Sequence, residues 1–214
     1  DSFYKQFDFK TALQYYSRAI KKDSSSAYVR QQIADSYRHL NDWANAEPWY
    51  RLLAQDQTTD PLNKMYYAEA LRANQKYPES KLAYKNYLAV APSDNSAKER
   101  VLGVDRVAEL SKDKGIYAIE NLPVNSSMSD FGPAFYTNGN IFFCSNRATP
   151  GRYRIEDNWT DAGFLQEYLG KADANGNVTT SELMSGRTPN GKYHEGPVNY
   201  NEQLQEIYIT RSNY

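Results

Sequence analysis

The first 110 residues place apolar side chains with the period of an amphipathic helix. Aromatic and small residues recur at offsets of three and four, as in Phe9, Ala12, Tyr16 and Ala19, which puts them on one helix face. The pattern predicts helices over 9–22, 27–40, 43–55, 61–74, 77–90 and 95–110, after a helical stump at 1–6. Around 111–115 the apolar positions change to the two-residue period of strands, so we expect a different fold from there on.

The helical segments belong to a unit that occurs three times with a 34-residue period. The aromatic residues Phe9, Trp43 and Tyr77 are spaced by this step. Five further columns share it: Ala12/Ala46/Ser80, Tyr16/Tyr50/Tyr84, Phe3/Tyr37/Leu71, Ala34/Ala68 and Ile33/Tyr67/Val101. One helix pair cannot bury its apolar face alone, so the copies are expected to stack into a continuous core.

The unit resembles the tetratricopeptide repeat, a 34-residue helix–turn–helix. Pro92 falls on the closing proline of that family, whereas Ser80 replaces the usual alanine and the turn glycine is absent. Asp42 is well placed as a helix N-cap. Pro48 lies inside a predicted helix, where it removes one backbone donor, and we expect a local kink there.

The second half of the chain is organised as strands and hairpins. A first strand is predicted at 116–119, a hairpin of 134–136 with 141–144 turns at Asn138-Gly139, and a second hairpin of 164–172 with 178–184 turns at Asn175-Gly176. The polar stretch 148–162, with Pro150-Gly151, is expected to be a loop insertion. The Gly-Pro pair at 132–133 recurs at 196–197, where the strand pattern restarts.

A four-stranded unit that restarts with its turns retained is typical of a β-propeller blade. We therefore expect one full blade and the start of another. The strand at 116–119 precedes the first blade, in the place where it would complete the last blade of a ring and avoid an open sheet edge. The predicted fold class is α+β and multi-domain: a tetratricopeptide-type α-solenoid over 1–112, followed by an incomplete β-propeller over 113–214.

Composition narrows the possible functions. The net charge of −1 gives no indication of binding to nucleic acid or to an anionic membrane surface. No apolar run approaches the roughly 20 residues of a transmembrane helix. The single cysteine, Cys144, excludes an internal disulfide and a multi-cysteine metal site. The chain lacks an initiator methionine and its first copy begins part-way through a helix, so we expect a piece of a longer protein.

The combination of repeats and strands resembles a family of envelope proteins of Gram-negative bacteria, in which tetratricopeptide repeats precede a TolB-like propeller and an OmpA-type domain. The motifs that carry the resemblance are Leu122-Pro123-Val124-Asn125-Ser126, Ser129-Asp130-Phe131-Gly132-Pro133, Phe143-Cys144-Ser145-Asn146-Arg147 and His194-Glu195-Gly196-Pro197-Val198. The resemblance implies a periplasmic, outer-membrane-associated scaffold whose partners are an outer-membrane barrel or type IX secretion components. It implies a tether to peptidoglycan only through the OmpA-type domain, which this sequence does not contain.

The residues expected to bind a partner follow from the repeat register. The first helix of each pair lines the concave face of a tetratricopeptide array, and the positions that fall there are Tyr28, Gln31, Asp35, Arg38, Leu62, Met65, Glu69, Arg72 and Arg106. Arg38, Arg72 and Arg106 form a ladder that either grips carboxylates of a partner segment or is satisfied by its own i,i+3 acids. The Lys/Asn pattern of carboxylate-clamp repeats is missing.

Residues with catalytic or metal-binding potential are expected to be structural. Cys144 is expected to pack in a strand, His194 to make a loop hydrogen bond, and Asp130 and Glu195 to stabilise loops from matching places before Gly-Pro. A partial calcium-loop pattern ending at Glu182 begins with Lys171, which puts a cation at the first ligand position. We expect no enzymatic activity, no cofactor and no metal.

Two other functions stay open at this point. One is a propeller-containing hydrolase whose catalytic domain lies outside this chain. The other is a generic tetratricopeptide module that binds an extended peptide.

Overall fold

The chain divides into a helical unit, Asp1–Ala118, and a strand-containing unit, Ile119–Tyr214. A computed structural model describes residues 1–148, 156–160, 162–184 and 193–212. The division falls a few residues beyond the boundary expected at 112/113. The prediction of an α+β chain, helical first and sheet-containing second, is confirmed.

Eight helices form the first unit, and each long helix packs against the next one along the chain. Their bounds are α1 Ser2–Lys5, α2 Phe9–Lys22, α3 Ala27–His39, α4 Trp43–Gln55, α5 Leu62–Ala73, α6 Tyr77–Leu88, α7 Asn95–Asp105 and α8 Val107–Leu110. These bounds follow the predicted ones closely, except that the last predicted helix is divided into α7 and α8. The predicted cap is also present, because Asp42 Oδ1 accepts a hydrogen bond from the Asn45 N–H at 3.2 Å.

The turn inside each helix pair is left-handed although it contains no glycine. Phe7, Asn41 and Gln75 have φ of 62°, 58° and 61°, and they are spaced by the 34-residue period. This conformation costs a residue with a Cβ about 1–2 kcal/mol, less for asparagine. In each copy a residue other than glycine therefore adopts the left-handed conformation of the turn, and the turn itself is kept.

The core of the helical unit lies in the repeat columns. Tyr50 and Tyr84 are fully buried, as are Ala46 and Ser80. Ser80 is accommodated in place of alanine because its hydroxyl donates to the Ala68 carbonyl at 2.9 Å. A buried hydroxyl with a hydrogen-bond partner costs little, so the substitution preserves the close helix contact.

Helix α4 continues through Pro48 from Trp43 to Gln55. Because proline has no N–H, the carbonyl of Ala44 lacks its intrahelical donor. Both residues are exposed, so water can satisfy that carbonyl. The expected kink stays a prediction.

The second unit is built on a four-stranded antiparallel sheet. The strands are β1 Asp130–Phe135, β2 Ile141–Ser145, β3 Glu156–Asp157, β4 Ala162–Gly163, β5 Gln166–Ala172, β6 Val178–Leu183, β7 Glu195–Asn201 and β8 Glu206–Arg211. The sheet has the order β1-β2-β5-β6, and β3-β4 and β7-β8 form two-stranded ribbons. Asn138 and Gly139 turn the first hairpin with φ of 60° and 75°, as their sequence predicts.

Two sequence predictions for the second half of the chain are wrong. No strand forms at 116–119, where Ile116, Tyr117 and Ile119 are exposed. An apolar strand needs a sheet edge to pair with, and none of the described strands offers one to this segment. The predicted loop at 148–162 contains the short ribbon β3-β4; its Pro150-Gly151 turn lies outside the described residues.

The ribbon β7-β8 packs against the four-stranded sheet through its first strand. β7 contacts β1, β2 and β5. The closest approach is at the repeated Gly-Pro motif, because a Cβ on Gly132 would lie 2.9 Å from Cγ of Pro197. Gly132 also has a φ of +64° at a bulge in β1. Only glycine meets both requirements.

Candidate partner-binding site

The first helices of the array carry an acid that is bonded to a tyrosine of the following helix. This pair recurs in all three copies with the same separation of 15 residues. The bonds run from Tyr16 Oη to Asp1 Oδ1 at 2.7 Å, from Tyr50 Oη to Asp35 Oδ1 at 2.5 Å, and from Tyr84 Oη to Glu69 Oε1 at 2.7 Å. Hydrogen bonds to a charged acceptor contribute about 1.5–3 kcal/mol each. The acids of this face thus hold each pair of helices together.

In the middle copy, Arg38 belongs to the same network. Its Nε donates to Tyr50 Oη at 2.9 Å, and its Nη2 lies 3.5 Å from Asp35 Oδ1. The guanidinium also stacks over the ring of Tyr66, 4.6 Å from the centroid. With only 25% of its side chain exposed, Arg38 is a structural residue and offers little of its charge to a partner.

In the third copy, two arginines share one carboxylate. Arg72 Nη2 lies 2.8 Å from Glu69 Oε2, and Arg100 from the next repeat bonds to Glu69 Oε1. The Glu69 side chain is 8% exposed, whereas 46% of Arg72 and 35% of Arg100 are exposed. One buried negative charge therefore faces two partly exposed positive charges, and a net positive charge is left at the surface.

The structure therefore contains the i,i+3 pairs that were the alternative to a free arginine ladder. Both Asp35–Arg38 and Glu69–Arg72 are formed. Arg106, the third member of the ladder, is exposed at the end of α7, and within the part of the chain that the structure describes it forms no ion pair.

The other predicted partner-binding residues differ in how accessible they are. Tyr28 is 55% exposed, and its hydroxyl donates to Asp1 Oδ1 at 2.7 Å. Gln31 Nε2 donates to Asp35 Oδ2 at 3.0 Å, so Gln31 serves the internal network.

Leu62 and Met65 lie one turn apart at the start of α5. Leu62 is 39% exposed. Met65 packs against the buried cluster of Ala68 and Leu71 and is only partly accessible. Tyr28, Leu62, Arg72 and Arg106 are thus the predicted positions with the most exposed surface.

A further column of residues, missed by the sequence reasoning, joins one repeat to the next. Gln32, Tyr66 and Arg100 are spaced by 34 residues, and each contacts the acid–tyrosine pair of the preceding copy. Gln32 accepts from Tyr16 Oη at 3.3 Å, and the Tyr66 ring lies 5.3 Å from that of Tyr50. The only signal in the sequence is the spacing itself, because the three residue types differ.

Burial affects how these tyrosines ionise. It raises the pKa of Tyr16 and of Tyr84 to about 12, and it raises the pKa of Tyr50 further. Neighbouring carboxylates act in the same direction on Tyr50 and Tyr84. The phenols therefore remain protonated donors throughout the physiological pH range.

A depression of about 390 Å³ opens beside the paired arginines of the third copy. Its lining residues are Arg72, Tyr77, Arg100, Gly103, Val104, Val107 and Leu110. The two arginines share the lining with mainly apolar residues. This arrangement suits a carboxylate next to an apolar side chain.

Cys144 and His194, two residues of the sheet unit with catalytic potential, bond to different partners. Cys144 is fully buried, and its Sγ donates to Glu167 Oε1 at 3.0 Å. Burial raises the pKa of the Cys144 thiol, with Glu167 adding to the effect, so the reactive thiolate is disfavoured. His194 Nδ1 accepts from the Leu165 N–H at 3.2 Å, which is the predicted loop hydrogen bond.

The two acids near the Gly-Pro motifs each bind an arginine of their own hairpin. Asp130 Oδ1 accepts from Arg147 Nη2 at 2.6 Å, and Arg211 Nη2 lies 2.8 Å from Glu195 Oε1. The expectation that they occupy matching places was wrong by one residue, since Asp130 lies two residues before Gly132 and Glu195 directly precedes Gly196. Their stabilising role in the hairpins is nevertheless what the structure shows.

Arg147 is the centre of polar contacts in the sheet unit. Besides Asp130 it bonds to the Val124 carbonyl at 3.0 Å and to Ser181 at 3.1 Å, and it stacks over Phe143 and Tyr168. Burial alone would raise the pKa of Asp130, but the bonds from Arg147 and Ser126 hold it well below its usual range. The pair therefore stays ionised down to strongly acidic pH.

The calcium-like segment is a hairpin turn. Asp173 Oδ1 accepts from the N–H groups of Asn175 and Asn177, both at 2.9 Å, and Lys171 Nζ lies 2.8 Å from Glu182 Oε2. Over the described ranges there is no cluster of three or more His, Cys, Asp or Glu side chains that could hold a metal ion. No helix within those ranges is both long and apolar enough to cross a membrane.

Comparisons with known proteins give matches to solved structures alone. No protein-family model matches the chain, and no curated protein matches it. The first TPR domain of Spaghetti (RPAP3), bound to the HSP90 peptide SRMEEVD, is 20% identical with a TM-score of 0.45, over 50% of this chain and 86% of that one.

Two domains of human RPAP3 are similar to about the same degree. The second TPR domain, in complex with the HSP70 peptide SGPTIEEVD, is 18% identical with a TM-score of 0.44, over 49% of this chain and 87% of that one. The first TPR domain is 21% identical with a TM-score of 0.43, over 54% of this chain and 90% of that one. At these TM-scores the assignment of tetratricopeptide-like helix pairs rests on the period and packing described above.

Proposed function

We propose that this protein is a non-enzymatic scaffold that binds protein partners through the first-helix face of its repeat array. The observation that carries the proposal is the surface that the first helices leave exposed. The acids of the array hold its helices together, while Tyr28, Leu62 and Arg72 remain accessible on successive first helices. An array stiffened by internal ion pairs presents such anchors in fixed positions, which lowers the entropic cost of binding.

The second unit is proposed to be the beginning of a β-propeller. The four-stranded antiparallel sheet has the strand order of one blade. β7 and β8 repeat the start of that sheet and pack on it at Gly132 and Pro197.

The cellular role is proposed from the resemblance to envelope proteins with repeats, a TolB-like propeller and an OmpA-type domain, such as the type IX secretion component PorE. The proposed role is periplasmic and outer-membrane-associated. The repeats and the propeller would hold an outer-membrane barrel or secretion components, and an OmpA-type domain of the longer protein would bind peptidoglycan.

A generic peptide-binding module is the second candidate, and one observation favours it. The depression beside Arg72 and Arg100 combines two cations with an apolar floor. A partner segment ending in an acidic and an apolar residue would fit there without any envelope assembly.

Affinity purification of the full chain from envelope extracts tests the proposal. We expect the wild type to recover a defined set of envelope proteins, and the variant Leu62→Ala/Arg72→Gln to lose them. The matched control is Leu82→Ala/Lys85→Gln, which also removes one leucine side chain and one positive charge, at exposed positions of α6, and should recover the same proteins as the wild type. Equal recovery by both variants would contradict a role of the first-helix face, and recovery of cytoplasmic proteins alone would contradict the envelope assignment.

A further inference from the structure

The helical unit has a second depression, of about 470 Å³, formed by the second helix of the central repeat and both helices of the next. Its lining residues are Arg51, Ala54, Gln55, Lys64, Tyr67, Ala83, Asn86, Ala89 and Val90. None of them belongs to the predicted partner-binding set. We call this depression the second-helix groove, because most of its lining comes from α4, α6 and the residues directly after α6.

The floor of the groove is apolar, and small side chains leave room on it for another chain. Ala54, Ala83 and Ala89 carry the smallest side chains with a Cβ, and they leave space between the larger Tyr67 and Val90. Val90 is 52% exposed although it is apolar. A smaller depression of about 160 Å³ shares Lys64 and Val90 with the groove, but Asp56 and Asp60 line it, so an acidic occupant is confined to the groove itself.

The polar lining of the groove carries one sign of charge. Arg51 and Lys64 line it, and no carboxylate does. Neither cation forms an ion pair within the part of the chain that the structure describes. The acid one turn before Arg51 is Glu47, and both its oxygens are bonded to Lys76, at 2.7 and 2.8 Å.

This arrangement differs from that of the other cations of the array. Arg38, Arg72 and Arg100 each bind an acid of the protein itself, whereas Arg51 and Lys64 form no direct ion pair with any described residue. Gln55 and Asn86 add amide groups that both donate and accept hydrogen bonds. The groove thus combines positive charge, an apolar floor and side-chain amides that can hydrogen-bond to the backbone of a bound segment.

We propose that the second-helix groove is a docking site for an acidic–apolar segment of a partner protein. An apolar side chain of the segment lies on Ala83 between Tyr67 and Val90. Flanking carboxylates bind Arg51 and Lys64, and the segment's backbone bonds to Gln55 and Asn86. The groove shares no lining residue with the predicted partner-binding set, so the array can hold one partner at each site.

Selection of displayed random peptides on the full chain tests this inference. We expect peptides with an apolar residue flanked by Asp or Glu to be enriched. In fluorescence anisotropy the most enriched peptide should bind the variant Arg51→Glu/Lys64→Glu at least tenfold more weakly than the wild type. Its affinity should also fall as salt rises, because charge pairs contribute to it.

A matched variant controls for the change of net charge. Lys21→Glu/Lys22→Glu makes the same charge change at exposed positions of α2 and should leave the peptide's affinity within about twofold of the wild type. Val90→Ser removes apolar surface without a charge change and should weaken binding several-fold.

Three outcomes would overturn the inference. They are the absence of acidic–apolar enrichment, equal weakening by the two charge variants, and binding that is lost in Leu62→Ala/Arg72→Gln but kept in Arg51→Glu/Lys64→Glu. The last outcome would leave the proposed function of the first-helix face intact while removing the second site.

Discussion

The hydrogen bond between Tyr84 and Glu69 is the interaction whose removal tests the account of the array most sharply. Tyr84 is fully buried, Glu69 is 6% exposed, and the two oxygens are 2.7 Å apart. A bond of this kind to a charged group contributes about 1.5–3 kcal/mol. We expect Tyr84→Phe to lower the free energy of unfolding by about 1–2 kcal/mol, since Arg100 still binds the oxygen that loses the phenol.

Glu69→Ala should lower the free energy of unfolding by more than Tyr84→Phe, because it has effects beyond the loss of the Tyr84–Glu69 hydrogen bond. It leaves the buried Tyr84 hydroxyl without its acceptor, which costs about 1–3 kcal/mol. It also breaks two ion pairs to partly exposed arginines, which add about 0–1 kcal/mol each. We therefore expect a loss of about 2–4 kcal/mol.

The double variant Glu69→Ala/Tyr84→Phe completes a thermodynamic cycle. Once the phenol is gone, no hydroxyl is orphaned, so the two losses should not add, and the coupling energy should be about 1.5–3 kcal/mol. Urea unfolding followed by circular dichroism at 222 nm measures it, because that signal reports the helical unit. Glu99→Ala, an exposed acid of α7, is the control and should change stability by less than about 0.5 kcal/mol. A coupling energy near zero would refute the argument that these acids hold the helix pairs together.

Three further predictions concern the turns, one helix and the sheet. Gln75→Gly should raise the free energy of unfolding by up to about 1 kcal/mol because it relieves a positive φ. Asn41→Gly should not raise it, since asparagine tolerates this conformation and its side chain accepts a hydrogen bond from Trp43 Nε1. Urea unfolding of the two variants tests this, and equal gains would contradict the reasoning. Pro48→Ala should stabilise the helical unit by about 1–3 kcal/mol because it restores an intrahelical donor at an exposed position, and an unchanged unfolding midpoint would show that α4 is not strained there. Burial, with a contribution from Glu195, raises the pKa of Glu167 to about 7, so the folded sheet keeps a proton that the unfolded chain releases near pH 4.5. The free energy of unfolding of the sheet unit should therefore fall by about 2–3 kcal/mol as pH rises from 4.5 through 7. The variant Glu167→Gln should abolish this fall. The labelling rate of the single buried Cys144, divided by that of the unfolded chain at the same pH, measures this, and a wild-type profile that is flat between pH 5 and 8 would contradict it.

The helices were predictable because their information is local and repeated. Phe9–Lys22 and Trp43–Gln55 begin and end at the predicted residues, since their caps and apolar columns lie within the segments themselves. The prediction of a strand at 116–119 failed because a strand forms only where a neighbouring strand offers an edge to pair with, and that depends on the whole sheet and not on the local sequence.

The helices that carry the candidate residues were predictable from the sequence, but the bonds of those residues were not. The register placed Arg38 and Arg72 on the first helices correctly, and the sequence contained their i,i+3 acids. It did not reveal that Tyr50 and Tyr84 bind the same acids, or that Arg100 reaches Glu69 from the next repeat. Those contacts depend on how neighbouring helices pack, which residue spacing along one helix does not specify.

Site-specific photo-crosslinking in cells tests the central claim, that partners bind the first-helix face, most directly. A photoreactive phenylalanine derivative is placed at Tyr28 and at Leu62, the two exposed apolar anchors of that face, and at Lys22 as an exposed control at the end of α2. We expect the two first-helix positions to capture the same envelope protein and Lys22 to capture none. Adducts of equal yield at all three positions, or none at Tyr28 and Leu62, would contradict the account.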